Sequence, residues 1–125
     1  MIIRELNQEA DVPQIIKWLP DADRQDVFAK NTFIAEKDDE IIAIGSIRLM
    51  EGPVCCLDSL ATNPSFDSII RHNALDMLVF YLLNHAKHLK FKQIFAYTLE
   101  DSIVHRAEKH GFIVTNQKLI IKELN

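Results

Sequence analysis

An α+β domain is what this sequence predicts, with a mostly antiparallel sheet broken by one parallel junction. Three observations predict it. Val54–Thr62 (VCCLDSLAT) is an apolar run rich in residues that suit a pleated surface, and Asn63-Pro64 closes it. Ile70, Ala74, Leu78 and Leu82 then recur at helical spacing, with Ile69, Leu75, Val79, Leu83, Ala86 and Leu89 widening the stripe into the longest helix of the chain. Gln93–Thr98 (QIFAYT) reads as a strand again, and a strand that follows a helical crossover runs parallel to the one before it. Upstream, Thr32–Lys37 and Ile41–Leu49 are joined by Asp38-Asp39-Glu40, a turn short enough only for an antiparallel hairpin.

The remaining elements follow in order. Ile2–Leu6 alternates apolar and polar residues and predicts the first strand. Asp11 is suited to cap a short helix, with Pro13 in its first turn, Gln14 at the capping-box position, Val12, Ile15, Ile16 and Leu19 buried, and Pro20 as the stop. Asp21–Lys30 holds a second short helix anchored by Val27 and Phe28. Ile41–Leu49 is apolar on both faces and belongs inside the sheet. Glu51-Gly52-Pro53 turns the chain into the central strand. Asp101 or Ser102 caps a last helix, Ile103–His110, which ends at Gly111 as a left-handed cap prefers. Phe112–Val114 and Lys118–Glu123 form a terminal hairpin around Thr115-Asn116.

Composition narrows the function classes. At 125 residues, 48% of them hydrophobic, the chain fits one domain with one core, spanning residues 1–125. A formal net charge of −4 argues against a nucleic-acid-binding surface. No apolar run reaches transmembrane length and no signal-peptide pattern opens the chain, so a cytoplasmic protein without membrane association is expected. Cys55 and Cys56 are adjacent on a strand, point to opposite faces, and read as buried reduced thiols. His85 and His88 share a helix face, but no further Cys, His or carboxylate completes a metal-ligand spacing, and no metal is expected. The basic Lys87–Lys92 run reads as a solvated helix end, and Trp18 as a cap on the core.

A central strand that feeds a helix N-terminus makes an anion site, because the first four helix N–H groups lack intrahelical partners and the dipole favours negative charge. Around that junction the chain resembles the GNAT superfamily of acyl-CoA-dependent N-acyltransferases. The element order carries the likeness along the whole chain. Its most specific local matches are Leu60–Phe66 (LATNPSF), a strand end followed by Pro and an aromatic, and Ala107–Phe112 (AEKHGF), near the family's Tyr-Glu-Lys-x-Gly-Phe run.

The resemblance implies acetyl-CoA as co-substrate and an amine as acceptor. It puts the pantetheine along Leu60, Ala61 and Thr62, and the pyrophosphate on Asp67, Ser68, Ile69, Ile70, Arg71 and His72. It also implies Asp58 as the base on the strand, and Tyr97 as the substitute for the last-helix Tyr that many members use to protonate the thiolate, since Ala107 stands at that position here. The pyrophosphate loop departs from the family's Arg/Gln-x-x-Gly-x-Gly/Ala: both glycines are absent and Asp67 stands where a cationic or amide residue is usual. Two readings therefore stand side by side. One is an N-acetyltransferase acting on an unidentified amine, and the other a catalytically silent GNAT-fold binding or assembly protein that no longer uses acetyl-CoA. The LIIKEL edge of the last hairpin could pair with a second copy, giving a homodimer.

Overall fold

The computed structural model describes residues 1–20, 30–98 and 100–124. Five strands form one sheet in chain order: β1 (Ile2–Glu5), β2 (Asn31–Lys37), β3 (Glu40–Leu49), β4 (Val54–Thr62) and β5 (Gln93–Phe95). The first three pairings are antiparallel and β4–β5 is parallel. The three helices are α1 (Gln8–Ile15), α2 (Ser68–His88) and α3 (Asp101–Lys109). The mixed sheet with one parallel junction is thus the predicted architecture. The second short helix expected at Asp21–Lys30 lies almost wholly outside the described residues.

The sheet is covered on both faces, which explains why β3 is apolar throughout. On one face α2 lays Ala74, Leu78, Val79, Leu82 and Ala86 against Phe33, Ile42, Ile47, Cys55 and Leu57. On the other, Ile15 of α1 packs with Ile34, Ile41 and Ile44, and Trp18 lies over that cluster. Seven consecutive residues of β3, Ile41 to Ile47, are buried. The β2–β3 turn has two residues, Asp38 and Asp39, both at positive φ (52° and 64°), the backbone of the tight hairpin turns that match strand twist.

The first helix starts earlier than its sequence signal. Asn7, not Asp11, is the N-cap, with its side chain accepting from the Ala10 N–H at 3.1 Å. Asp11 turns inward and takes both terminal nitrogens of Arg4 at 2.8 Å, while its Oδ2 also accepts the Asn7 N–H at 2.7 Å. The reason is tertiary: Arg4 on β1 reaches a carboxylate seven residues ahead, and a surface cap cannot compete with a two-toothed charged pair. Pro13 consequently lies inside the helix rather than in its first turn.

Two other expectations are corrected near the C-terminus. Glu100 rather than Asp101 or Ser102 precedes α3, without a side-chain cap bond, and Asp101 supplies first-turn negative charge instead. No terminal hairpin forms: residues 112–124 contain no strand, and Ile113, Ile120, Ile121 and Leu124 are largely solvent-exposed. A propensity for strands does not by itself make a ladder, and here the segment pairs with neither edge of the sheet. Gly111 does end α3 in the left-handed region, with the Phe112 N–H bonding Ala107 O and the Gly111 N–H bonding Glu108 O, both at 3.0 Å.

The same closure ends α2, where the Phe91 N–H bonds Ala86 O at 3.2 Å and the Lys90 N–H bonds Lys87 O at 2.9 Å. Its left-handed residue is Lys90 at φ 74°, a strained place for a side chain. Lys90→Gly is expected to stabilise the protein by about 0.5–1 kcal/mol, read as a higher urea midpoint with unchanged slope.

Candidate functional site

The sheet opens where β4 leaves β5. Parallel pairing covers only Val54–Cys56 against Gln93–Phe95, so Leu57–Thr62 runs on without a β5 partner. A bulge in the same stretch bends the strand. Ser46 pairs with Asp58 and Ile44 with Ala61, so Ser59 and Leu60 together face the single residue Gly45. Ser59 adopts φ 57° to make the extra step. Leu57 and Leu60 then both face α2, whereas Ala61 packs on the α1 side. Gly45 is what admits the bulge: a Cβ there would lie 2.7 Å from Leu60 Cδ2 and 3.0 Å from Leu82 Cδ1.

At the mouth of this opening stands the start of α2. Asn63 fastens the turn, with its Nδ2 donating to Ile41 O at 3.1 Å and its Oδ1 accepting the Ser65 N–H at 3.0 Å. Asp67 is the N-cap, and its Oδ1 accepts the Ile70 N–H at 2.9 Å. One of the helix-start donors is therefore already taken by a carboxylate of the chain itself. Ser68 is exposed and Ile69 is 72% exposed, whereas Ile70 packs on the α2-side core. Arg71 has its Nε buried with no hydrogen-bond partner among the described residues. An unpaired buried donor on a cation at a helix start is what an anionic ligand would satisfy.

His72 belongs to a different cluster. Its Nδ1 faces Arg106 of α3 at 2.7 Å, so Nδ1 is the accepting nitrogen, and its Nε2 lies 3.4 Å from Asp76 Oδ2. Arg106 also donates to Asp76 Oδ1 at 2.6 Å, and His110 Nε2 approaches the same oxygen at 3.2 Å. Desolvation opposes ionisation of Asp76, but the bonds from His110 and Arg106 and the Arg106 charge outweigh it and hold the carboxyl below its ordinary range. This cluster fastens α3 to α2. Of the six residues the resemblance put on the pyrophosphate, His72 is thus engaged sideways by α3.

The two catalytic candidates lie around one arginine. Arg48 of β3 forms an ion pair through its Nε with Asp58 Oδ2, and the Ser59 N–H donates to Asp58 Oδ1 at 2.8 Å. Arg48 is held more strongly protonated, first by its bond to Asp58 and more weakly by the neighbouring Tyr97 and Cys56. Tyr97 itself is 61% exposed, just beyond the end of β5. Cys55 and Cys56 are buried and unbridged. Desolvation first, then the Asp58 charge, pushes the Cys56 thiol up to about 11, which leaves it no thiolate at neutral pH to attack with.

Sequence reasoning did not single out Arg48, Asp76 or Arg106. Arg48 and Asp58 are diagonal neighbours in the β3–β4 register, within reach of a long side chain, and Asp76 follows His72 at i+4. Both spacings stand in the sequence. Arg106, 30 residues beyond Asp76, left no local signal. His85 makes ring contacts with Phe33 and Tyr81 at 4.9 and 6.4 Å. Among the described residues no group of three or more His, Cys, Asp or Glu could hold a metal ion, and no helix is long and apolar enough to cross a membrane.

Antiparallel strands, a bulged fourth strand, a parallel junction that opens, and a long helix at its mouth define the GNAT acetyltransferase fold, and this chain has it. Solved structures agree along nearly its whole length. Rv2747 from Mycobacterium tuberculosis, in complex with CoA and NLQ, superposes with a TM-score of 0.73 at 19% identity, covering 97% of this chain and 76% of that one. The aminoglycoside acetyltransferase meta-AAC0020 from an uncultured soil metagenomic sample, in complex with sisomicin, gives 0.73 at 14% identity, covering 99% and 95%. A putative acetyltransferase from Agrobacterium tumefaciens gives 0.74 at 11%, covering 98% and 100%. No protein-family model matches the sequence, and no curated protein matches it.

Proposed function

We propose that the protein is an acyl-CoA-dependent N-acetyltransferase that transfers an acetyl group to an amine. The observation that carries this reading is the opening between β4 and β5 with the start of α2 at its mouth. Backbone groups of Leu60, Ala61 and Thr62 stand beside that opening without a β5 strand to pair with, and suit the amide groups of a pantetheine. Ser68 and Ile69 offer helix-start N–H groups to a pyrophosphate, Ile70 offers its own only where the phosphate displaces the Asp67 carboxylate, and Arg71 offers charge and an unpaired Nε. Asp67 opposes the phosphate.

The acceptor amine must lose a proton when it attacks the thioester, and the departing thiolate must gain one. Asp58 is the base in this reading. Both its oxygens are already engaged, by Arg48 and by the Ser59 N–H, so it takes the proton through a water rather than directly. Tyr97, on the opposite lip of the cleft and within the field of Arg48, supplies the hydroxyl that protonates the thiolate. Asp58→Asn is expected to lower turnover by roughly a hundredfold with little change in acetyl-CoA affinity. The acceptor is an amine of unassigned structure. Because sisomicin accompanies one neighbour, polycationic amines are the first to screen.

A silent GNAT-fold binding protein is the second reading, and one observation favours it: the Asp67 carboxylate already occupies the Ile70 N–H that a phosphate would use. Calorimetric titration with acetyl-CoA decides between them. A stoichiometric micromolar isotherm supports the enzyme, whereas no heat and no thermal shift at millimolar ligand would sink it. Asp67→Asn sharpens the test. Asparagine caps a helix as well as aspartate does, so stability should move by only a few tenths of a kcal/mol. Removing a negative charge a few ångströms from a pyrophosphate should tighten acetyl-CoA binding by up to about tenfold at low salt, and less as salt rises.

A further inference from the structure

We propose that the polar cluster between α2 and α3 is a proton-operated latch: α3 is held against the start of α2 while His72 is neutral, and is released when His72 gains a second proton. Polar contacts carry much of this attachment, because none of the nine residues of α3 is buried. Only past the helix, at Phe112, does a side chain pack on the core of α2 and the sheet. Arg106 makes the grip. Its terminal nitrogens reach the first three turns of α2 at three points: Asp76 Oδ1 at 2.6 Å, the His72 carbonyl at 3.3 Å and His72 Nδ1 at 2.7 Å. Its side chain is 16% exposed, so water screens these contacts only in part.

The third contact fixes a protonation state. A guanidinium donates and cannot accept, so Nδ1 carries a lone pair and the ring proton sits on Nε2, towards Asp76 Oδ2 at 3.4 Å. A second proton has to go onto Nδ1, where it points at a cation 2.7 Å away. The hydrogen bond then becomes a repulsion, and the exposed His72 ring has solvent to swing into.

Among the described residues, the other charged and titratable groups at this contact are Asp76 of α2 and Arg106 and His110 beside it. Their sum decides the sign. Arg106 and Asp76 cancel. A proton on His110 is tolerated, because His110 Nε2 lies 3.2 Å from Asp76 Oδ1. A further proton on His72 leaves three cations facing one carboxylate. Histidine changes charge between about pH 5 and 8, whereas Asp76 is held below the ordinary carboxylate range and stays ionised there. His105 pairs within α3 with Glu108 at 3.7 Å, both well exposed, so its charge bears little on the attachment. An imidazole that the folded contact keeps neutral binds fewer protons held than released, so the attachment weakens as pH falls. The flank of the α2 start, where the candidate site lies, is thus closed by an element whose hold depends on pH.

The test is hydrogen exchange of the full chain at about pH 7.5 and 5.5, with each rate referred to the intrinsic rate at its own pH. Protection at 104–110 should fall by about tenfold or more towards the lower pH, while 78–86 in the buried part of α2 keeps its protection. His72→Asn separates the latch from a general weakening in acid. Its amide oxygen accepts from Arg106 and takes up no proton in this range, and the position is exposed, so the variant folds. Protection of α3 in His72→Asn should not change with pH. In Arg106→Gln it should be low at both values, with α2 intact. Protection in the wild type that is flat between the two values overturns the proposal. An equal loss in His72→Asn overturns it too, because another group then releases the helix. No ligand enters the test, so its outcome is independent of the acetyltransferase reading.

Discussion

Gly45→Ala is expected to lower stability by about 2 kcal/mol, a fall in melting temperature of roughly 6–12 °C for a chain of this size. The added Cβ would meet Leu60 Cδ2 at 2.7 Å, Leu82 Cδ1 at 3.0 Å and Leu78 Cδ2 at 3.3 Å, all in a fully packed layer between sheet and helix. Side chains rather than backbone stand in the way, so the layer shifts and the domain still folds. The shift has a direction. Leu60 is the second residue of the bulge, and moving it carries the β4 backbone towards the opening beside β5. The variant should therefore lose acetyl-CoA affinity beyond what its stability predicts. Calorimetry well below the melting temperature separates the two effects, and unchanged affinity would detach the bulge from the proposed cleft.

The second large effect is expected from Asp11→Ala, about 2–3 kcal/mol in urea denaturation at neutral pH. Removing one partner of a buried pair costs more than this when the other is buried as well. Here Arg4 is 35% exposed and keeps its bond to Glu36 Oε1 at 3.0 Å, which reduces the loss, while the Asn7 N–H loses its acceptor. The pair also sets an acid response. The Arg4 hydrogen bonds, against desolvation and with help from the Asn7 N–H, hold the Asp11 carboxyl below its ordinary value of 3.8. A carboxyl lowered in the folded state contributes stability that is complete above the unfolded value. It is lost as pH falls from there through the folded value. Wild type should weaken on acidification below about pH 4 more steeply than Asp11→Ala. Equal slopes would mean that Asp11 is not charged and paired in solution.

How much of this was legible in the sequence depends on how local each cause is. β4 was read with its observed bounds, because an apolar run closed by Asn-Pro is a local signal. The parallel sense of β5 followed from the helix length between the two strands. Asp11 was misassigned because a capping preference is visible in sequence and its competitor, Arg4 on a neighbouring strand, is not. His72 was counted with the phosphate loop because the α3 residue that holds it, Arg106, is far away in the chain. The terminal hairpin failed for the converse reason: alternation states what a segment could do with a partner, and in the structure residues 112–124 pair with neither edge of the sheet. Within the candidate site, position was legible in the order of elements. The occupation of each group by Arg48, Ser59 or Asp67's own helix was not.

The bulge at Ser59 resets the reading frame of β4. Upstream of it, Cys55 and Leu57 face α2; one extra residue later, Leu60 faces α2 again, so odd and even positions exchange roles in mid-strand. Straightening the bulge with Ser59 still in the strand would act like a frameshift confined to three residues, whereas deleting Ser59 would remove the bulge and leave every face as it is. In the straightened strand Leu60 would turn to the α1 side, Ala61 to the α2 side and Thr62 back to the α1 side, while every residue before Ser59 kept its place. The shape of the cleft and the packing of the core therefore meet at a single inserted residue.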